Sequence, residues 1–195
     1  MSGELLINVT PSETRLALIE NGVLQEVHVE REARRGLVGN IYLGKVIRVL
    51  PGMQAAFVDI NLDKAAFLHA SDINSRLITN QEEKDSDQVP DIRTLVHEGQ
   101  YIMVQVVKDP LGTKGARLTT DITIASRYLV LMPNASHAGV SQRIEDAEER
   151  GRLKDIVAPC CDDEHGFIVR TAAEGAGEQE LRHDADFLRR VWRKV

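Results

Sequence analysis

The chain has 195 residues, with 24 lysines and arginines against 30 aspartates and glutamates, and a formal net charge of −6. That balance excludes a protein that coats nucleic acid indiscriminately, which needs a broadly basic face, so any nucleic-acid contact must be local. The start, Met1-Ser-Gly-Glu-Leu-Leu, lacks a basic segment leading into an apolar run, and no stretch approaches the roughly 18 apolar residues of a membrane span; a cytoplasmic protein with no membrane partner is expected.

In chain order, the first segment reads as three strands, 5–9, 15–19 and 23–29. Thr10-Pro-Ser-Glu13 separates the first two and Asn21-Gly22 the last two. Asn-Gly between alternating stretches is the strongest short hairpin signal. Alternation puts Val23, Gln25, Val27 and Val29 on one face, with Leu24, Glu26 and His28 on the other. A lone three-stranded meander covers little core, so it is expected to belong to a larger sheet.

A basic connector with Arg31, Arg34 and Arg35 leads into five expected strands, 40–50, 54–61, 65–69, 101–108 and 117–120. Short strands with Gly and Pro at the bends describe a small OB-type barrel. The polar segment 74–91 reads as a mobile loop. From Asp121 strands alternate with helices: a strand at 127–132, then a helix at 145–158 with Leu153, Ile156, Val157 and Cys160 on one face. A strand at 167–171 follows, and an amphipathic helix at 178–194 carries Leu181, Ala185, Leu188, Val191 and Trp192.

Gly52-Met-Gln-Ala-Ala-Phe-Val-Asp-Ile60 and Ala66-Phe-Leu-His-Ala-Ser-Asp-Ile73 place two rings, a histidine and a serine on one side of the barrel, the arrangement that offers single-stranded bases a stacking platform. In Lys108-Asp-Pro-Leu-Gly-Thr-Lys-Gly115 a lysine flanked by glycines sits at a hairpin tip, where it can meet a phosphate. Val58-Asp-Ile-Asn61 and Ser71-Asp-Ile-Asn-Ser-Arg76 could each bring a carboxylate and an amide to a divalent ion, but both lie within the barrel strands and turns. The six histidines are too scattered for a ligand set, and the adjacent Cys160 and Cys161 cannot build a disulfide framework or a four-ligand zinc site. A hydrolase built on one of these thiols with a histidine is the weakest reading, and no catalytic residue is assigned in this chain.

Gly44-Lys-Val46, the two stretches just quoted, Glu98-Gly-Gln-Tyr-Ile-Met-Val-Gln-Val-Val-Lys108 and Arg117-Leu-Thr-Thr120 follow in order the signature of the S1 RNA-binding domain. Gln54 stands where such domains usually carry a second aromatic. The flanks, Leu5-Leu-Ile-Asn-Val-Thr, Arg127-Tyr-Leu-Val-Leu-Met-Pro, Ser141-Gln-Arg-Ile-Glu and Gly166-Phe-Ile-Val-Arg-Thr-Ala-Ala-Glu-Gly, closely resemble the amino-terminal half of the ribonuclease E/G family, nearest the ribonuclease G branch.

The resemblance implies an α+β chain. Residues 1–38 begin an RNase H-like subdomain, an S1 barrel is inserted at 39–121, and 122–195 form an α/β 5′-sensor region that starts the return to the RNase H-like sheet. It implies a single-strand-specific endoribonuclease of rRNA maturation and RNA decay, with a Mg²⁺-dependent DNase I-like domain and a structural Zn²⁺ linker beyond this sequence. The chain alone is then expected to be inactive, and the full-length protein to be a homo-oligomer. Phe57, Phe67, His69 and Lys114 fall on RNA-contacting positions. Arg170 and Thr171 fall on the pair that grips a 5′-monophosphate, and Val130 on that pocket's wall; Ser126 stands where the ribonuclease E branch has a glycine. A stand-alone RNA-binding S1 module without nuclease activity is the alternative.

Overall fold

The structure, a computed structural model, describes residues 3–32, 35–74, 90–133 and 135–195. The chain divides into two compact units, residues 1–37 and 38–195.

The first unit is an antiparallel meander of β1 (Gly3–Val9), β2 (Glu13–Glu20) and β3 (Val23–Arg31), in the order β1-β2-β3. Asn21 and Gly22 turn the second hairpin with φ of 50° and 79°, the left-handed conformation that this pair tolerates. The expected faces need one correction. Leu18 pairs with Glu26 but Ile19 pairs with Leu24, so Gln25 is the extra residue of a β-bulge. The bulge moves Leu24 to the face of Val27 and Val29 and leaves Val23 with Glu26 and His28. By register, Leu6, Ala17, Ile19, Leu24, Val27 and Val29 share one face; Leu5, Ile7, Val9, Leu16, Leu18 and Val23 share the other. Both faces are apolar, as in sheets covered on both sides.

In the second unit, β4 (Ile41–Leu50), β5 (Ala55–Asp59), β6 (Ala66–His69), β7 (Tyr101–Lys108) and β8 (Arg117–Thr119) close a barrel in the order β4-β5-β6-β8-β7. Val46, Ala56, Val58, Ala66, Leu68, Val104, Val106 and Leu118 fill it and are almost wholly shielded. A short helix, α1 (Ile92–Leu95), precedes β7; the Asp91 carboxylate accepts from the Arg93 N–H at its start, and Ile92 and Leu95 are buried. This helix was not expected. The loop expected at 74–91 lies outside the described residues except at its ends.

Past the barrel, a four-stranded sheet runs β11-β12-β10-β9, from β9 (Ile124–Ala125), β10 (Leu129–Pro133), β11 (Ala138–Val140) and β12 (His165–Val169); β11 and β12 are parallel and the other pairs antiparallel. The helices α2 (Ala147–Val157) and α3 (Glu178–Trp192) pack on it. Leu153 and Val157 of α2 and Leu181, Ala185 and Leu188 of α3 meet Leu129, Leu131, Phe167 and Val169 in one core. Asp146 starts α2 by accepting from the Glu148 and Glu149 N–H groups. The expected strand 167–171 ends at Val169, and Thr171 opens a 3-10 turn, Thr171–Ala173. Among the described residues no helix is long and apolar enough to cross a membrane.

Candidate nucleic-acid interface

Strand alternation sends Ala56, Val58, Ala66 and Leu68 into the barrel and leaves Phe57, Phe67 and His69 half-buried outside it. Phe57 and Phe67 are directly paired across β5 and β6, their ring centroids 6.3 Å apart and the planes inclined by 68°. His69 extends the line, 6.4 Å from Phe67. Its Nδ1 lies 2.8 Å from the Ser71 hydroxyl and 3.2 Å from the Ser71 N–H, which holds the ring upright beside the phenylalanines.

Register adds residues that the sequence reading missed. Arg48 of β4 is opposite Phe57, and Arg117 of β8 is opposite Phe67. A single row across four strands therefore reads Arg48, Phe57, Phe67, Arg117: two rings between two cations. Arg117 is held by Asp72, which raises the arginine's pKa further through that paired hydrogen bond and charge. Alternation alone could not have aligned Arg48, because the β4–β5 pairing shifts by one residue between Val46 and Arg48.

Lys114 is exposed at the β7–β8 hairpin tip, where Leu111 and Lys114 exchange backbone hydrogen bonds of 3.2 and 3.0 Å. Lys64 donates to the Gly112 carbonyl and ties this tip to the β5–β6 connection. At Gly115 a Cβ would lie 1.8 Å from the Ala65 carbonyl oxygen, so only glycine lets the two backbones cross.

Gln54, at the place of the missing aromatic, is a clamp. Its Oε1 accepts from the Ile92 N–H at 3.0 Å, its Nε2 donates to the Pro51 carbonyl at 2.8 Å, and its own carbonyl accepts from the Ala70 N–H at 2.8 Å. An aromatic ring could make none of the side-chain bonds that fix α1 to the barrel.

The carboxylates of both Asp-Ile-Asn sequences have partners of their own. Asp59 accepts from the Asn61 N–H at 2.8 Å in a turn where Asn61 has φ of 63°, and Asp72 is engaged by Arg117. Among the described residues no group of three or more His, Cys, Asp and Glu side chains converges as a metal site. Burial pushes the Cys160 and Cys161 thiols up, opposite to what a thiolate nucleophile needs.

At the end of β12, Ser141, Arg143, Ile168, Val169, Arg170 and Thr171 line an open depression of about 240 Å³. Arg170 and Thr171 are therefore brought together, with Arg143 and Ser141 as neighbours that the sequence reading did not single out. The Arg170 N–H donates to the Tyr128 carbonyl at 2.8 Å, and its Nη1 donates to the Ser126 carbonyl. The serine side chain thus does not displace the main-chain contact. Val130 is not in the lining; it pairs with Ile168, which is.

A closed five-stranded barrel with an aromatic and basic outer row is that of an S1 RNA-binding protein, and residues 37–120 match the S1 RNA binding domain. Residues 123–195 match the Ribonuclease E/G family. All of the chain aligns at 68% identity with Ribonuclease G of Escherichia coli (strain K12), covering 40% of that protein. It is 66% identical to Ribonuclease G of Haemophilus influenzae over 98% of the chain and 39% of that protein, and 39% identical to Ribonuclease E of the same species, over 98% of the chain and 20% of that protein. The chain belongs to the ribonuclease E/G family, on its ribonuclease G side. It spans about 40% of the length of these ribonuclease G relatives.

Proposed function

We propose that this chain is the RNA-recognition part of a single-strand-specific endoribonuclease of the ribonuclease G type, acting in rRNA maturation and RNA decay in the cytoplasm and preferring RNA with a 5′-monophosphate. The observation that carries the reading is the row Arg48–Phe57–Phe67–Arg117. Aromatic faces accept any unpaired base, while flanking cations track the backbone, and a duplex, whose bases are already stacked, gains nothing from such a row. His69 and Lys114 extend it at either side, one with a ring and one with a charge.

The depression at Arg170 and Thr171 supplies the second grip. A terminal monophosphate carries close to two negative charges near neutral pH. With Nη1 held by the Ser126 carbonyl, the Nε and Nη2 N–H groups of Arg170 remain to donate to phosphate oxygens, and the Thr171 hydroxyl donates beside them. A 5′-hydroxyl offers no anion, and a triphosphate is bulkier. Val130 supports this depression from the neighbouring strand through Ile168.

Cleavage chemistry is assigned to residues outside this sequence, in a Mg²⁺-dependent nuclease portion followed by a Zn²⁺-bound linker, and the chain alone binds RNA without cutting it. The meander, apolar on both faces, suits the start of an RNase H-like sheet completed by further strands of a homo-oligomeric protein. Titrating a labelled single-stranded RNA and the matching duplex with this chain tests the reading. Preference for the single strand, lost in Phe57→Ala, is expected; equal binding of both RNAs by the wild type would overturn it.

A further inference from the structure

Between β9 and β10 the chain makes a tight turn, Ser126 to Leu129, closed by the Ser126 N–H donating to the Leu129 carbonyl at 2.9 Å. One carboxylate, more than fifty residues later on α3, organises it. The Asp184 Oδ2 accepts from the Tyr128 N–H and the Leu129 N–H, both at 3.0 Å, and from the Ser126 hydroxyl. The other ends of the same groups face Arg170. The peptide joining Tyr128 to Leu129 gives its N–H to Asp184 and its carbonyl to the Arg170 N–H. Ser126 gives its hydroxyl to Asp184 and its carbonyl to Arg170 Nη1. Two hydrogen-bonded chains thus run from Asp184 through the turn to the backbone and the side chain of Arg170.

We propose that Asp184 is the positioning residue of the Arg170 phosphate grip; this rests on the reading of Arg170 given above. Bonds that accept onto an anion are strong, and a peptide whose N–H meets an anion offers a more polarised carbonyl, so the carboxylate strengthens the Tyr128 carbonyl through the shared amide and, through the Ser126 hydroxyl, holds the Ser126 carbonyl in place. Without it, the Tyr128 and Leu129 N–H groups lose their acceptor and the Ser126 hydroxyl keeps only the Leu129 carbonyl, 3.0 Å away, so the turn is freer to rotate its carbonyls. The fork then samples orientations that cannot meet a phosphate with two N–H groups at once. Neighbouring groups do not replace it. Glu180 takes the Tyr128 hydroxyl at 3.2 Å, and the Arg127 guanidinium lies 4.8 Å from the centre of the Tyr128 ring, so both secure the ring and not the turn's backbone.

Asp184→Leu removes the acceptor at similar volume, and Asp184→Asn keeps one carbonyl oxygen to receive the two backbone N–H groups. Affinities of this chain for one RNA bearing a 5′-monophosphate or a 5′-hydroxyl give the discriminating ratio. Asp184→Leu should lower the ratio by about tenfold, the worth of one misdirected hydrogen bond to a charged group, while 5′-hydroxyl RNA binds as before. Asp184→Asn should keep most of the ratio. A role in stability alone would weaken both RNAs together and leave the ratio intact, which overturns the inference. Arg170→Gln separates the two failures: if it removes the ratio and Asp184→Leu does not, Asp184 is no positioning residue; if it changes nothing, the phosphate reading itself falls. Proton–nitrogen spectra of the Arg170 guanidinium need no RNA. Hindered rotation in the wild type and averaging in Asp184→Leu are expected, and equally hindered spectra in both would overturn the inference.

Discussion

Arg117 forks onto Asp72 at the seam where β8 lies beside β6, Nε to Oδ2 at 2.9 Å and Nη2 to Oδ1 at 3.2 Å. The pair ties the barrel's closing strand to the turn after β6, and it holds half in check the cation next to Phe67. Asp72→Asn should cost about 0.5 kcal/mol in urea unfolding, since the arginine is 44% exposed and solvent screens the pair. Freed of its carboxylate, Arg117 should add a phosphate contact and steepen the slope of log K for RNA against log salt by roughly 0.7. An unchanged slope would place Arg117 outside the RNA path.

Phe57→Ala and Phe67→Ala should each weaken binding of short single-stranded RNA by about 1–3 kcal/mol, the range for losing one base-stacking platform. Both rings lie outside the barrel core, so thermal unfolding should stay cooperative. Lys114→Ala should instead flatten the salt dependence by roughly 0.7 in slope, one phosphate contact on a single strand. Anisotropy titrations at several salt concentrations distinguish these signatures, and a folded Phe57→Ala protein that binds like wild type would remove the stacking role.

Much of this architecture is written in local pattern. The five barrel strands show two-residue alternation bounded by Gly and Pro, and Asn21-Gly22 announces its hairpin, so those elements follow from the sequence. What escaped depends on register or on distance. The bulge at Gln25 adds one residue and flips every face assignment before it; β9 and β11, two and three residues long, are too short to carry a period. The alignment of Arg48 and Arg117 with the phenylalanines appears only once the pairing shifts are known. Asp184 reads as one more polar position on an amphipathic helix, and nothing near it in sequence hints at a turn 55 to 58 residues earlier.

Glu149 gives a pH-dependent handle on the helical region. Its carboxylate accepts two 2.6 Å bonds from the Arg152 fork and one of 2.9 Å from the Gly175 N–H, which lower its pKa from 4.5 to about 2. Because the folded value is depressed, the stabilisation is complete above pH 4.5 and is lost as the pH falls to about 2. Glu149→Gln should lower the melting temperature above pH 4.5 and converge with wild type near pH 2. Parallel curves across that window would show that the carboxylate's charge is not what holds Gly175.

Arg170→Gln should abolish the advantage of 5′-monophosphate over 5′-hydroxyl RNA and leave internal single-strand binding largely intact, since the barrel row is untouched. Cleavage of both RNAs by a longer protein that includes the proposed nuclease portion complements the binding measurement, because it reports turnover as well as affinity. Equal slowing of both substrates would make Arg170 a general contact.

The meander should drive association when this chain is studied by itself. Leu5, Ile7, Val9, Val23, Leu24 and Val27 are all more than half exposed, and uncovered apolar strands seek partners. Sedimentation should show concentration-dependent dimers or larger species that Ile7→Lys reduces. A monomer at all concentrations would count against this.

The backbone crossing at Gly115 divides the β7–β8 loop into a fixed root and an exchangeable crown. The Lys64 tether grips the main-chain carbonyl of Gly112, whose φ of 56° favours glycine, and position 115 admits no side chain at all. Libraries that vary 110, 111 and 113 should therefore yield many folded proteins with altered charge or reach at the tip, and those that touch 115 should yield almost none. Changing how this barrel approaches a phosphate is thus a matter of redesigning a few residues on an anchored stalk, without reopening the barrel beneath.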